Sequence, residues 1–146
     1  MFDPNRESTL RQAIEDLYYG YRAFTEVPDR MLAELDLGRT HHRILYFVGR
    51  RPGLSVGELL TVLDVSKQAV HRPIKELEER GLIAIRSDDA DRRVRRLTLT
   101  DAGADLESQL TTSQMRLLDD AFAELPTESL EQWHRVMRRL ADRVDE

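Results

Sequence analysis

Residues 66–100, SKQAVHRPIKELEERGLIAIRSDDADRRVRRLTLT, read as a helix, a tight stop and a two-stranded ribbon with an arginine-rich tip. Ser66 suits an N-cap, where its hydroxyl accepts a hydrogen bond from a free amide of the first turn, so the helix is expected to begin at Lys67. Val70, Ile74 and Leu77 recur at helical spacing and should face a core. Lys67, Gln68, His71, Arg72 and Lys75 then occupy much of the remaining surface, a basic face rich in hydrogen-bond donors. Gly81 supplies the left-handed residue that commonly ends a helix, and Leu82, Ile83 and Ile85 begin a strand. Ser87 to Asp91 reads as a polar turn, and the returning strand carries Arg92, Arg93, Arg95 and Arg96 near the tip, with Leu97 and Leu99 alternating further on. Four arginines within five residues repel one another, so an anion beside the tip stabilises it. A nucleic-acid backbone is such an anion, and a helix with a basic polar face followed by a basic ribbon is what duplex recognition requires: the helix reads major-groove edges while the ribbon reaches an adjacent minor groove.

The run from Asp91 to Gly103, DRRVRRLTLTDAG, resembles the wing signature of the MarR family of winged-helix transcriptional regulators: Asp, any residue, Arg, a spacer, then Leu-Thr, two residues and Gly. Those positions are held by Asp91, Arg93, Leu99, Thr100 and Gly103. The preceding SKQAVHRPIKELEERGLI is similar to that family's recognition helix and its Glu-Glu-Arg-Gly-Leu exit, and the likeness extends over nearly the whole chain. It implies that Asp91 orients Arg93, and that both termini intertwine in a two-fold dimer presenting two recognition helices about 34 to 36 Å apart along one DNA face. It also implies a site for a small effector, often phenolic or carboxylate, between the dimer helices and the winged helix. Tyr18, Tyr21, His41, His42 and Tyr46 combine flat apolar area with a polar tip and are the candidates to line it, though each also suits an ordinary core or interface position.

At 146 residues the chain suits one unit with a sizeable core. No stretch approaches a membrane span and the N-terminus MFDPNRESTL is too polar for a signal peptide, so a soluble cytoplasmic protein with no membrane partner is expected. The absence of cysteine excludes disulfides, thiolate metal sites and cysteine-based redox sensing, and so sets aside the peroxide-sensing members of the family as models. The net charge of −5 does not by itself suggest a nucleic-acid partner, but its distribution does. Residues 66–96 hold nine Lys/Arg against six Asp/Glu, whereas residues 101–146 hold five against eleven.

Taken in order, Leu10, Ile14, Leu17, Tyr21 and Phe24 make one apolar stripe of a long N-terminal helix. Pro28 is expected to interrupt or end it, with Met31, Leu32, Leu35 and Leu37 continuing an apolar segment to Gly38. Such a stripe serves an intramolecular core or a dimer interface, and the sequence leaves both open. Thr40 is the expected cap of a helix carrying Ile44, Leu45, Phe47 and Val48, which stops before Pro52-Gly53. Ser55 and Glu58 form a capping box ahead of Leu59, Leu60 and Leu63, and a break at Asp64-Val65 leads into the helix at Lys67: a helix-turn-helix. After the wing, Thr100 should cap a long helix from Asp101 to about Leu125, with Pro126 as the break. A final helix begun by Thr127 shows Leu130, Trp133, Val136, Met137, Leu140 and Val144 in near-heptad spacing. Its Arg135, Arg138, Arg139 and Arg143 are interleaved with acids and read as a solvated or inter-subunit face rather than a second DNA site.

Other chemistries find little support. His41 and His42 are adjacent, about 100° apart on a helix, a poor geometry for clamping one metal. His71 reads as a groove-facing donor and His134 as a surface or interface residue. Asp88, Asp89 and Asp91 lack the glutamate that a calcium loop needs. Ser55, Ser66 and Ser87 have no Gly-x-Ser-x-Gly setting, and there is no phosphate-binding glycine loop. No catalytic residue, metal or cofactor is expected. Pro73, seven residues into the helix, removes one amide and opposes the carbonyl of Ala69, at about 3 kcal/mol in a regular helix, so a kink or loosening is expected there.

The expected protein is therefore mainly α with a small β-hairpin wing: a winged helix-turn-helix over residues 40–100, flanked by dimerisation helices over residues 5–37 and 101–146. Its expected function is sequence-specific binding of a double-stranded DNA operator as a homodimer, most often as a ligand-responsive repressor. Ser66, Lys67, Gln68, His71, Arg72 and Lys75 are the expected contacts from the helix, and Arg92, Arg93 and Arg95 those from the wing. The competing readings are a winged-helix protein-interaction module and a metal-sensing regulator that does not touch an operator.

Overall fold

The computed structural model describes residues 1–145, with side chains through Arg143; Val144, assigned to the final apolar stripe, lies outside the described side chains. The order of elements is α1 (Pro4–Ala33), α2 (Arg39–Arg50), β1 (Leu54–Ser55), α3 (Val56–Leu63), α4 (Lys67–Glu79), β2 (Ile83–Ser87), β3 (Arg95–Leu99), α5 (Asp101–Phe122) and α6 (Ser129–Ala141), followed by a 3-10 turn at Asp142–Asp145. Two compact units share the chain, residues 1–114 and residues 115–146. Among the described residues no helix is long and apolar enough to cross a membrane.

The first unit is built on the winged helix. Leu32 of α1, Ile44, Leu45 and Val48 of α2, Leu59 of α3, Val70 and Leu77 of α4, Ile83 and Leu97 of the sheet and Leu110 of α5 are buried in one core. Fully burying each such side chain contributes about 1.5–3 kcal/mol relative to leaving it exposed. The sheet has three strands, ordered β1-β3-β2 and antiparallel throughout, rather than the two that the sequence indicated. The added strand is Leu54–Ser55, where Leu54 sits opposite Leu97. Two residues are too few to show an alternating pattern, so only tertiary pairing reveals them. Leu97, opposite Leu54 on one side and Ile85 on the other, pins the wing to the helix-turn-helix.

Four helix boundaries depart from expectation. Helix α1 runs unbroken through Pro28, which is buried. The amide missing at Pro28 frees the carbonyl of Phe24, and Gln114 of α5 donates to that oxygen through Nε2 at 3.4 Å, a long bond that nonetheless supplies the missing donor. Helix α2 is capped by Gly38 rather than Thr40, with His41 Nδ1 accepting the Gly38 amide at 3.0 Å. Helix α6 begins at Ser129, not Thr127, and its N-cap residue Glu128 makes no side-chain cap bond; α5 ends at Phe122, three residues before Leu125.

The remaining caps follow the sequence. Ser55 and Glu58 exchange both bonds of a capping box, at 3.0 and 3.1 Å, and Ser66 Oγ accepts the Ala69 amide at 3.3 Å. Gly81 has φ +70°, the left-handed turn that takes the chain from α4 into β2. Thr100 Oγ1 accepts the Gly103 amide at 3.1 Å and donates to the Gly81 carbonyl at 2.5 Å, tying the first turn of α5 to the exit of α4. A Cβ on Gly103 would stand 1.8 Å from the carbonyl oxygen of Leu82, so only glycine lets α5 come this close. The threonine and glycine of the wing signature are thus joint requirements of one packing contact.

In the second unit, α6 buries no residue. Phe122 and Trp133 meet edge to face with centroids 6.1 Å apart, while Leu130, Val136 and Leu140 remain exposed. On α1, Ile14, Leu17 and Tyr21 are exposed as well. Among the described residues, apolar side chains of both stripes read from the sequence are therefore exposed.

Candidate nucleic-acid interface

Helix α4 divides its faces as its periodicity dictates. Val70, Ile74 and Leu77 are buried, and Lys67, Gln68, His71, Arg72 and Lys75 are all exposed, with Ser66 at the cap. Helix α4 runs without a break through Pro73, where a kink or loosening is expected, to Glu79. The carbonyl that Pro73 leaves without an amide belongs to Ala69, an exposed residue, so water can take the place of the missing donor and the penalty is smaller than in a buried helix.

The wing is braced from within. Arg92 and Arg93 lie in the turn between β2 and β3, not on the returning strand, and Arg95 and Arg96 open β3. Asp88 Oδ2 accepts the amides of Ala90 and Asp91 at 3.1 and 3.0 Å, while its Oδ1 accepts Arg96 Nε at 2.6 Å; these bonds, Arg96's foremost, hold its carboxyl below the usual range. Asp91 accepts two bonds from the Arg93 guanidinium, at 3.1 and 3.2 Å, and one from the Arg93 amide, which likewise lowers its pKa. The self-repulsion expected of four arginines is therefore relieved locally, because Arg93 and Arg96 each carry a carboxylate partner. Among the described residues Arg92 and Arg95 have no ion-pair partner and are exposed.

Arg96 is an anchor rather than a free cation. Its Nη1 donates to the Gly53 carbonyl at 3.0 Å and lies 3.8 Å from Glu58, whose own pKa is lowered first by the Ser55 amide. Glu58 also binds Arg51 at 2.8 Å. These contacts join the wing to the loop before β1 and to the cap of α3, which offsets the cost of placing Arg96 directly opposite Arg86 in the sheet. The spacing of residues does not reveal these partners: the bond from Arg96 to Gly53 spans 43 residues of chain, and Asp88, only 8 residues away, meets Arg96 only once the hairpin has closed.

Between α3, α4 and the wing lies an open cavity of about 470 Å³. Lys67 and His71 of α4 and Arg93 and Arg95 of the wing line it over an apolar floor that includes Val70, Ile74 and Ile85. The structure thus gathers the principal helix and wing candidates around one basic concavity. Gln68, Arg72 and Lys75 belong to the same exposed helix surface outside the cavity lining.

The five effector candidates do not form one set. Tyr18 and Tyr21 lie exposed on α1, Tyr18 edge to face with Tyr19 at 5.2 Å. Tyr21 belongs to a polar junction with α2: its hydroxyl accepts from Arg43 at 3.3 Å, and Arg39 sits over its ring at 5.9 Å while pairing with Asp29 at 2.9 Å. Tyr46 packs edge to face on Phe47. His42 is held neutral first by burial, opposed by Asp29 and Glu107 and assisted by Arg43. His41 faces the other way, with Nε2 3.5 Å from Glu76 of α4. No group of three or more metal-ligating side chains is gathered among the described residues.

With this geometry in place, comparison with known proteins is specific. The family model described as the MarR family matches residues 35–94. The HTH-type transcriptional regulator PetP of Rhodobacter capsulatus is 37% identical over 136 residues, covering 93% of this chain and 82% of that protein. The transcriptional repressor MprA of Escherichia coli is 33% identical over 89 residues, 61% of this chain and 51% of that protein. Among solved structures, Streptococcus pneumoniae FabT in complex with DNA superimposes with a TM-score of 0.80 at 16% identity, covering 95% of this chain and 97% of that one, a likeness of fold. The winged helix, its threonine and glycine lock and the extent of similarity to PetP place this chain in the MarR family of winged-helix transcriptional regulators.

Proposed function

We propose that this protein binds a specific double-stranded DNA operator as a homodimer and acts as a ligand-responsive repressor. The observation that carries the reading is the meeting of Lys67 and His71 with Arg93 and Arg95 around one exposed basic cavity, beside the donor-rich surface of Gln68, Arg72 and Lys75. Residues 40–100 form the DNA-binding region in this reading: α4 enters the major groove, where Gln68, Arg72 and Lys75 read base edges or phosphates, and the wing carries Arg92, Arg93 and Arg95 to the adjacent minor groove. Asp91 fixes the Arg93 side chain close to the backbone, which reduces the conformational entropy lost on insertion.

The homodimer is supported by the uncovered stripes on α1 and α6 within residues 5–37 and 101–146. A monomer that left Ile14, Leu17, Trp133, Val136 and Leu140 in water would expose apolar area of the kind that partner surfaces bury. Two-fold symmetry then presents two α4 helices to one face of the duplex. A repressor follows from occupancy of an operator that overlaps a promoter. An effector of phenolic or carboxylate type suits the junction of α1 and α2, where Arg39, Arg43 and the Tyr21 ring offer guanidinium donors and an aromatic face.

The test is binding of the purified protein to DNA from its own upstream region, across a salt series and against random competitor. The reading expects tight binding that survives competitor and a steep fall in affinity with salt, reflecting several neutralised phosphates. Binding no tighter than to random duplex, there and in a selection from a randomised pool, would remove the operator and favour a protein-interaction module. Release of the duplex by aromatic carboxylates would establish the ligand response.

A further inference from the structure

A half-buried histidine lies behind the exposed face of α4, outside the lining of the basic cavity. His41 of α2 accepts the Gly38 amide at Nδ1, at 3.0 Å, so in the neutral ring the proton sits on Nε2. That Nε2 is buried and has no hydrogen-bond partner. It faces Glu76 Oε2 at 3.5 Å, inside ion-pair range for a charged ring but beyond a good hydrogen bond. The second oxygen of the same carboxylate, Oε1, binds Arg72 Nε at 3.1 Å. Arg72 is 89% exposed on the DNA-facing helix and Glu76 30% exposed beneath it. The charged groups acting on His41 are Glu76 of α4 and Arg80, the C-cap residue of that helix; Arg80 is itself tied by its guanidinium to the Leu35 carbonyl, between α1 and α2.

From this arrangement we infer that Glu76 restrains Arg72 and offsets its charge, and that His41 governs this pair, so that DNA affinity rises as His41 takes up a proton. With the ring neutral, Glu76 is committed to Arg72 and offsets the positive charge that would meet a phosphate. A proton added at Nδ1 removes the acceptor of the Gly38 amide and makes the ring a cation beside Oε2. The carboxylate is then shared between two cations, Arg72 is held less firmly, and the local charge facing the duplex becomes more positive by one. Burial lowers the pKa of His41 and Arg80 lowers it further, while Glu76 raises it, so the ring is neutral near pH 7 and responds on the acid side. A phosphate on Arg72 draws the same change, and binding takes up a proton by linkage. His71 stands on the exposed face of α4 within the proposed interface itself, so its removal is part of the test.

The inference rests on the operator-binding reading, and the experiment keeps the two apart. Affinity of the full-length protein for a duplex that it selects from a randomised pool is measured by fluorescence anisotropy at fixed salt between about pH 5.5 and 8, where one linked proton changes affinity by at most about tenfold per pH unit. His41→Asn keeps an acceptor near the Nδ1 position but does not titrate; Glu76→Gln keeps the size but not the charge; His71→Asn removes the other ring. The wild type should gain affinity toward low pH by roughly threefold more than His41→Asn or Glu76→Gln, and His71→Asn should retain that extra gain. Glu76→Gln should also bind more tightly than wild type at pH 8. In parallel, NMR titration of the free protein should show the His41 pKa falling in Glu76→Gln. Equal pH profiles in wild type, His41→Asn and Glu76→Gln would overturn the inference while leaving operator binding intact, as would an unchanged His41 pKa in Glu76→Gln. Failure of the wild type to select any duplex would overturn the operator reading and the role assigned to the pair with it.

Discussion

Gly103→Ala offers the sharpest test of why the wing signature ends in glycine. The added Cβ would lie 1.8 Å from the oxygen and 2.8 Å from the carbon of the Leu82 carbonyl, where an ordinary contact needs about 3.4 Å or more. Both atoms are backbone, so no side-chain rotation relieves the overlap; α5 must move off the turn at Leu82 by more than an ångström. Overpacking of this kind costs about 1–3 kcal/mol by itself. The same movement strains the Thr100 bonds to the Gly103 amide and the Gly81 carbonyl, each contributing roughly 0.5–1.5 kcal/mol. A loss of about 2–5 kcal/mol is expected, a large part of the stability of a domain of this size. Urea unfolding followed by circular dichroism, at several protein concentrations to separate folding from association, measures it. Gly57→Ala is the control: its Cβ would meet only Ser55 Oγ, at 3.9 Å, inside α3, so it should be neutral or slightly stabilising. A Gly103→Ala protein within about 1 kcal/mol of wild type would refute the close-approach argument.

Arg93→Ala is expected to weaken operator binding by about 1–3 kcal/mol with little effect on folding, because its partner is the neighbouring Asp91; a folded variant with unchanged affinity would remove Arg93 from the interface. Arg96→Ala should lower stability instead, since Asp88 Oδ1 and the Gly53 carbonyl lose the guanidinium donor, and an unaltered unfolding midpoint would deny it the anchoring role. Burial holds the folded pKa values of both His41 and His42 below 6.5, so the unfolded chain binds their protons first: stability should be full above that pH and fall as pH drops below it. A His41→Asn/His42→Asn double variant should flatten that fall, and a wild-type profile retained by the variant would assign it to other groups. Val136→Glu puts a charge on the exposed apolar side of α6 and should shift sedimentation toward the monomer; a dimer of undiminished affinity would locate the association surface elsewhere.

The sequence by itself determined the local elements of the winged helix, because each rests on neighbours a few residues apart. The Ser55–Glu58 box, the Ser66 cap, the left-handed Gly81 and the division of α4 into a buried Val70, Ile74 and Leu77 side and an exposed basic side all follow from spacing and side-chain chemistry. The same holds for the uncovered stripes, whose periodicity is visible but whose partner is not. Tertiary structure decided whatever depends on a distant group. Pro28 reads as a break until Gln114, far along the chain, donates to the carbonyl it frees. Pro73 reads as a disruption until the carbonyl it frees proves to belong to an exposed residue. Arg96 looks like one more wing cation until Gly53 and Asp88 hold it, and His41 looks like a pocket residue until it turns toward Glu76. Spacing encodes how a segment lies on its own axis, but which charge neutralises which is settled only when packing brings remote parts of the chain within a few ångströms.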